Sequence, residues 1–364
     1  MHTYDAIVIG AGQGGLSASF HLKRLGIDHV VLDGDERPGG AWQHRWDSLT
    51  MADVHGVADL PDAPAPGTSH ERANVVIADW FATYERDHAL PVVRPVKVDR
   101  VTSAGELLAV HAGERTWLTS TLINATGTWT RPFVPYYPGA ETFRGEQLHT
   151  HSYPGRDHFR GKRVMVVGGG ASAVQFLGEL APITDTLWVT RREPVWIGGE
   201  GFGEFDGRAA IGKVLERVRE GRPPASVVSV TGLALRPQEQ LAAGLGAYER
   251  RRPMFERIEP DGVRWADGSF EAVDVILWAT GFRPAIDHLA PLRLRTSLGG
   301  IALLPGTSDV QTAVTAARDP RVQLAGYGPS ASTIGGNRAG RAAAKAVRAL
   351  LASTHPPRES AAAG

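Results

Sequence analysis

The distribution of apolar and polar positions predicts two strand–helix–strand units. In the first, the apolar run at residues 6–9 precedes a glycine-rich turn and a helical segment, and a second apolar run at 29–32 completes a unit over residues 4–33. In the second unit, residues 164–167 and 187–190 take the two strand positions. Apolar strands that alternate with helices are typical of parallel sheets covered on both faces. The predicted fold class is α/β.

The same patterns predict further elements. Apolar residues recur at helical spacing over 73–89, and strands are expected near 92–101, 106–111, 115–124, 273–278 and 322–325. An alanine-rich helix is expected from about residue 335, followed by a disordered tail at 354–364. The periodicity between residues 203 and 260 is too weak to predict elements there.

Each of the two units carries a glycine fingerprint directly after its first strand. The first fingerprint is Gly10-x-Gly12-x-x-Gly15, and the second is Gly168-x-Gly170-x-x-Ala173. This spacing gives a tight turn whose backbone N–H groups, at the start of a helix, hold the pyrophosphate of a dinucleotide. Alanine is tolerated at the last position, where a small residue lets helix and strand pack closely. The chain is therefore predicted to have two Rossmann-like dinucleotide-binding domains.

The residues expected to contact the ribose differ in charge between the two units. Asp33 stands as far after Gly10 as Arg191, followed by Arg192, stands after Gly168. A carboxylate accepts hydrogen bonds from a free ribose 2′-hydroxyl, whereas arginines suit a 2′-phosphate. The sequence thus predicts FAD at the first site and NADPH at the second, and hydride transfer between them. Two alternatives stay open: Asp35 in place of Asp33, and Arg191 binding alone with Arg192 in solvent.

Smaller motifs add to this picture. The turn Gly39-Gly40-x-Trp42 follows the ribose acid, where backbone passes close to the cofactor, and its alternative interpretation is a plain loop. Two strands end in Ala-Thr-Gly, at residues 125–127 and 279–281, which makes Thr126, Gly127, Thr280 and Gly281 further candidates for the cofactor sites. Because the second fingerprint lies between these ends, we predict an FAD domain (1–150 plus 281–353) with an inserted NADPH domain (151–280).

Composition and charge exclude several functions. The net charge is zero and the basic residues are scattered, so no nucleic-acid partner is expected. The chain shows neither a signal-peptide pattern nor an apolar run long enough to span a bilayer, which favours a cytoplasmic protein. It has no cysteine, so it cannot pass electrons to a cysteine pair or hold an iron–sulfur cluster. The 13 histidines show no metal-ligand spacing, and no metal is expected.

A family resemblance rests on a further spaced motif, Phe143-x-Gly145-x-x-x-His149-x-x-x-Tyr153-Pro154, directly before the second fingerprint. It resembles the signature of the class B flavoprotein monooxygenases, which include the flavin-containing and Baeyer–Villiger monooxygenases. The fingerprints, the turn Gly39-Gly40-x-Trp42 (the tryptophan turn) and the Ala-Thr-Gly ends follow the order of that family over about residues 1–350. The chain is most similar to the short bacterial flavin-containing monooxygenases, in which the stretch matching residues 190–194 governs the choice between NADPH and NADH.

The resemblance implies an activity. NADPH would reduce FAD, dioxygen would add to the reduced flavin as a (hydro)peroxide, and a thioether or an amine would take one oxygen atom. Baeyer–Villiger enzymes usually have tryptophan at the position of Tyr153, which favours the oxygenation of sulfur or nitrogen here. Three alternatives remain: Baeyer–Villiger oxidation of ketones, an NADPH oxidase or electron-transfer reductase, and a nucleotide sensor without catalysis.

The resemblance leaves the catalytic side chains unassigned. His149 corresponds to a linker residue that influences cofactor placement, and its alternative interpretation is a turn histidine bonded to backbone. Longer relatives have an asparagine near the flavin that residues 49–56 lack, with Asp53 and His55 as substitutes. The expected partners are a small-molecule substrate and dioxygen, and the expected assembly is a homodimer, the commonest symmetric assembly.

Overall fold

The computed structural model describes residues 2–54, 57–196, 214–224, 233, 235–305, 313–331 and 333–354. Its first sheet has seven strands: β1 (Thr3–Ile9), β2 (His29–Leu32), β3 (Val92–Val93), β4 (Arg100–Ala104), β5 (Leu107–Ala112), β6 (Arg115–Asn124) and β15 (Val322–Leu324). Strands β3, β2, β1, β6 and β15 are parallel neighbours in that order, and β4, β5 and the first half of β6 form an antiparallel meander.

The second sheet is entirely parallel. Its strands are β7 (Glu146–His149), β8 (Arg163–Val167), β9 (Asp185–Thr190), β10 (Arg252–Pro253) and β14 (Val275–Trp278), in the order β10-β9-β8-β14-β7. A small antiparallel sheet of β11 (Arg257–Glu259), β12 (Gly262–Arg264) and β13 (Phe270–Ala272) lies between β10 and β14 in the sequence.

Helices cover the sheets. They are α1 (Gln13–Arg24), α2 (Ala73–Asp87), α3 (Ala171–Leu180), α4 (Pro237–Gly244) and α5 (Thr333–Thr354). Helix α1 follows β1 and contacts α5, while α3 follows β8 and contacts α4. Apart from His29 and Arg163, the strands β2, β8 and β14 are apolar and buried, as a parallel sheet with both faces covered requires. Among the described residues, no helix has both the length and the apolar character needed to cross a membrane.

The predicted α/β class and most predicted elements are confirmed. The predicted strand at 92–101 is wrong, because the chain leaves the sheet after Val93 and returns as β4 at Arg100. Pro95 has no N–H group to donate to a neighbouring strand, which accounts for the break. The predicted tail at 354–364 lies, from residue 355 onward, outside the described residues.

The chain passes twice between the two large sheets, once before β7 and once after β14. The predicted boundary at residue 150 falls after β7, although β7 pairs with β14 in the second sheet. The first passage therefore precedes Glu146. The division into an FAD domain and an inserted NADPH domain otherwise stays a prediction. Both fingerprints follow the central strand of their own sheet, β1 and β8.

Candidate functional site

The first glycine turn, residues 10–15, joins β1 to α1. Gly10 has a φ of +96°, and a Cβ atom there would lie 2.7 Å from the carbonyl oxygen of Ala125. A Cβ atom on Gly15 would lie 1.9 Å from the carbonyl oxygen of Gly10. At Gly12 a Cβ atom would meet no atom within 4 Å. The outer glycines therefore serve the fold, while the middle one leaves open space at the start of α1, where a pyrophosphate fits.

The second glycine turn, residues 168–173, repeats this geometry between β8 and α3. Gly168 has a φ of +146°, and a Cβ atom there would lie 2.2 Å from the carbonyl oxygen of Ala279. Gly170 is the N-cap of α3 and has open space beside it, and Ala173 is fully buried. In both turns, the first glycine touches the alanine of an Ala-Thr-Gly strand end. Sequence reasoning did not predict this contact, although the repetition of Ala-Thr-Gly in both units could have indicated it.

Asp33, the predicted ribose acid, is held in a buried charge cluster. Its Oδ1 accepts a hydrogen bond from the N–H of Ala11 (3.3 Å), and its Oδ2 accepts one from Nε of Arg94 (3.0 Å). Both terminal nitrogens of Arg94 donate to the carboxylate of Glu85, at 2.6 and 2.7 Å. Burial raises the pKa of Asp33, and Arg94 opposes this rise. Asp35, the alternative acid, is more exposed and bonds to two side chains just after the tryptophan turn.

The tryptophan turn, residues 39–42, lies against the first glycine turn. A Cβ atom on Gly40 would lie 2.8 Å from Cα of Gly12, and one on Gly39 would lie 2.9 Å from Cβ of Ala78. Trp42 is half-buried and packs against the core. The glycine pair is therefore required for close approach of this loop to the predicted FAD site.

Arg191 and Arg192, predicted to bind a 2′-phosphate, are exposed directly after β9. Thr190 Oγ1 donates to the carbonyl oxygen of Arg192 (2.7 Å) and accepts from Arg251, which also forms an ion pair with Glu193. No carboxylate of the described residues pairs with Arg191 or Arg192. The two arginines that the sequence assigns to NADPH are thus available at the carboxyl end of β9.

Two segments, 125–133 and 279–285, run side by side where the chain passes between the sheets; we call them the crossing segments. Thr126 Oγ1 donates to the carbonyl oxygen of Ala285 (2.5 Å), Thr280 Oγ1 donates to that of Phe133, and the N–H of Ala285 donates to the carbonyl oxygen of Gly127 (2.9 Å). The threonines of the strand ends therefore join the crossing segments to each other.

His149, the linker candidate, is buried and bonded at both ring nitrogens. Its Nδ1 accepts from the N–H of His151 (3.0 Å), so Nε2 carries the proton and donates to the carbonyl oxygen of Gly281 (3.0 Å). Burial lowers the pKa of His149, and the hydrogen bond that Nδ1 accepts requires the neutral ring. This side chain anchors the end of β7 to a crossing segment, and it has no free nitrogen for proton transfer.

His288 is a half-buried residue that sequence reasoning missed. Its Nε2 lies 2.6 Å from Oδ1 of Asn124, at the end of β6, and donates to that oxygen because an amide oxygen only accepts. Burial lowers its pKa from 6.5 to about 4. This hydrogen bond joins the segment that follows residues 279–281 to β6, the strand that precedes residues 125–127.

His288 gives a prediction for the pH dependence of stability. Since its folded-state pKa lies below the ordinary value, its contribution is complete above pH 6.5 and is lost as the pH falls toward about 4. The full loss is about 3 kcal/mol. In His288→Gln, which keeps a donor but does not titrate, we expect the free energy of unfolding to fall less between pH 7 and 5. Urea unfolding at both pH values measures this decrease. An equal decrease in the unchanged protein and in His288→Gln would contradict the assignment.

Comparison with known proteins agrees with this geometry. The profile of the pyridine nucleotide-disulphide oxidoreductase family matches residues 7–198. Two solved structures of a flavin monooxygenase from Stenotrophomonas maltophilia, one of them a double mutant, are 36% and 37% identical. Each covers 96% of this chain and 100% of its own, with a TM-score of 0.81.

More distant relatives match smaller parts of the chain. An uncharacterized oxidoreductase named CzcO from Bacillus velezensis is 26% identical over 77% of this chain and 81% of its own length. A Baeyer–Villiger monooxygenase from Streptomyces coelicolor is 32% identical, over 52% of this chain and 38% of its own length. The likeness to S. maltophilia flavin monooxygenase extends over almost the whole chain, and the likeness to the Baeyer–Villiger enzyme over about half.

Proposed function

Since the chain belongs to the flavin monooxygenases of the pyridine nucleotide-disulphide oxidoreductase family, we propose that it inserts one oxygen atom of dioxygen into a thioether or an amine at the expense of NADPH. The observation that supports the proposal is a pair of matching glycine turns whose predicted ribose-contacting residues have opposite charge. A carboxylate at one turn, and at the other two arginines that pair with no carboxylate of the described residues, suit two different dinucleotides. The absence of cysteine removes the thiol chemistry from which the wider family takes its name.

The residues present fit FAD and NADPH. FAD is assigned to the first turn, with Gly10, Gly12, Gly15, Asp33 and the tryptophan turn, and NADPH to the second, with Gly168, Gly170, Ala173, Arg191 and Arg192. Bound FAD supplies acceptance of hydride from NADPH and activation of dioxygen. The net reaction consumes NADPH, a proton and dioxygen, and it yields NADP⁺, water and the oxygenated product.

The side chains between the two turns position the reactants and exclude water. His149 and the two threonines fix the crossing segments, and Trp129 and Phe282 stack there with ring centres 5.1 Å apart. Aromatic side chains at this place keep water from the reacting atoms, which limits the fraction of NADPH that is spent on forming hydrogen peroxide instead of product. No side chain is needed as a strong base, because a thioether sulfur already carries the lone pair that attacks.

The oxygenation itself is tested with methyl phenyl sulfide, NADPH and ¹⁸O-labelled dioxygen. We expect labelled sulfoxide, formed in proportion to the NADPH consumed. NADPH consumption that yields only hydrogen peroxide would replace the proposal by an oxidase. Oxidation of cyclohexanone to its lactone without sulfoxide formation would replace it by a Baeyer–Villiger enzyme.

The arginines after β9 give a prediction for cofactor choice. In the double variant Arg191→Ala/Arg192→Ala, the ratio of kcat/KM for NADPH to that for NADH is expected to fall roughly tenfold or more, because a charged hydrogen bond to the 2′-phosphate contributes about 1.5–3 kcal/mol. The rate with NADH should change little. Arg250→Ala, which removes an exposed arginine paired with Asp185, is the matched control. An unchanged ratio in the double variant would remove the arginines from the NADPH site.

A further inference from the structure

A cavity of about 570 Å³ lies between the segment 44–48, just after the tryptophan turn, and the segment 150–158, just after β7. Its volume is that of a site for a small organic molecule. None of its lining residues is among those assigned above to FAD or NADPH. The cavity therefore has space and side chains that the cofactor assignment does not use.

Arg45 lines this cavity, and no carboxylate of the described residues pairs with it. Its guanidinium carbon lies 4.6 Å from the ring centre of Trp129 and 5.5 Å from that of Trp42. Its Nε is inaccessible to solvent and has no hydrogen-bond partner. Burial lowers the pKa of Arg45 to about 10, and no neighbouring carboxylate of the described chain opposes the shift. The two tryptophan rings hold the planar guanidinium in place by cation–π contact.

Two other arginines that are largely withdrawn from solvent, Arg94 and Arg321, have carboxylate partners. Arg94 contacts Asp33 and Glu85, and Arg321 contacts Asp319 at 2.7 Å. A cation that is taken out of water without an anion is unfavourable, so a protein keeps one where a ligand supplies the opposite charge. The geometry around Arg45 thus indicates an anionic group that the described residues do not supply.

The lining holds a second arginine, Arg156, and three histidines. Two of the histidines contact carboxylates outside the lining, His44 that of Asp35 (3.0 Å) and His158 that of Glu146 (2.6 Å), and burial lowers the pKa of the third, His151. The charge that attracts an anion therefore comes from the two arginines. The two carboxylates of the lining are already paired with arginines outside it, Asp47 with Arg72 (3.3 Å) and Asp157 with Arg160 (2.9 Å). The fork of N–H groups on an arginine matches the two oxygens of a carboxylate.

The cavity adjoins the crossing segments. The ring centre of Trp129 lies 4.9 Å from that of His151, which lines the cavity, and 5.1 Å from that of Phe282, which follows Gly281. We propose that this cavity binds the carboxylate of the substrate, so that Arg45 selects small thioethers or amines that carry a carboxylate group. The inference rests on the proposed monooxygenase function and names its substrate class.

The test compares 3-(methylthio)propanoate with its primary amide, which has nearly the same size and no charge. With the FAD-bound protein, kcat/KM for sulfoxide formation is expected to favour the acid. In Arg45→Gln, this preference should fall roughly tenfold or more, while kcat/KM for the amide stays near its original value. Arg45→Lys should keep part of the preference, since it retains the charge and loses the fork of donors. Arg144→Gln, which removes an exposed charge whose partner Asp261 also lies outside the lining, should keep all of it.

Calorimetric titration of both compounds separates this inference from the proposed function. Tighter binding of the acid that depends on Arg45, without sulfoxide formation, would support the carboxylate site while the monooxygenase proposal fails. Sulfoxide formation from both compounds without preference for the acid would overturn the carboxylate site and leave the proposed function intact. Loss of bound FAD in Arg45→Gln would assign the guanidinium to the cofactor and would also overturn it.

Discussion

Replacing Gly12 with alanine is expected to leave the chain folded while lowering its affinity for FAD a hundredfold or more. Gly12 has φ −81° and ψ −171°, which any residue adopts, and its Cβ atom would meet no protein atom within 4 Å. The added methyl group occupies the open space in which backbone approaches the pyrophosphate. A hundredfold loss corresponds to about 2.7 kcal/mol. Gly170→Ala should act in the same way on NADPH and leave FAD bound.

The measurements are bound flavin per chain from visible absorbance, dissociation constants for FAD and NADP⁺, and thermal unfolding of the FAD-free forms. Gly67→Ala, at an exposed position with ordinary φ and open space, is the control. Gly15→Ala should behave differently from Gly12→Ala, because its Cβ atom collides with the carbonyl of Gly10 and the fold itself is destabilised. If Gly12→Ala and Gly170→Ala each weakened both cofactors, the two turns would not be separate sites.

Local rules account for the part of the fold that the sequence predicted. Apolar runs, helical spacing and glycine positions act over a few residues, and they located the two strand–helix–strand units, α2 and α5. The repeated spacing of the glycines also indicated where backbone would approach a pyrophosphate in each turn. Charge at the ends of β2 and β9 further predicts which dinucleotide each turn binds, since hydroxyl and phosphate prefer opposite partners.

Contacts between distant positions were not predictable in the same way. Asp33 and Arg94 are 61 positions apart, and only the pairing of β2 with β3 brings them together. A signal was nevertheless present on α2. Glu85 follows Ile77 and Phe81 at a spacing of four, which places a carboxylate on the buried face of the helix and calls for a buried cation. Arg45 offered no such signal, because its neighbours Trp42 and Trp129 come from separate loops.

Replacing Arg94 with methionine is expected to lower the free energy of unfolding by about 3–5 kcal/mol. The side chains of Arg94, Asp33 and Glu85 are 13%, 7% and 10% exposed, so the substitution leaves two carboxylates buried without a cation. Urea unfolding followed by tryptophan fluorescence, at a fixed FAD concentration, measures the change. Arg24→Met removes an exposed pair with Asp62, and there we expect less than about 1 kcal/mol.

The neutral triple variant Arg94→Met/Asp33→Asn/Glu85→Gln separates two explanations for that loss. If the destabilisation comes from the unpaired buried carboxylates, the triple variant should recover most of the stability, since a well-packed neutral replacement of a buried ion pair is often tolerated. It should also bind FAD more weakly than Arg94→Met, because a neutral amide in place of the Asp33 carboxylate is a poorer acceptor for a ribose hydroxyl. Stability as low as in Arg94→Met would instead mean that the arginine stem and its packing, rather than its charge, hold β3 against β2.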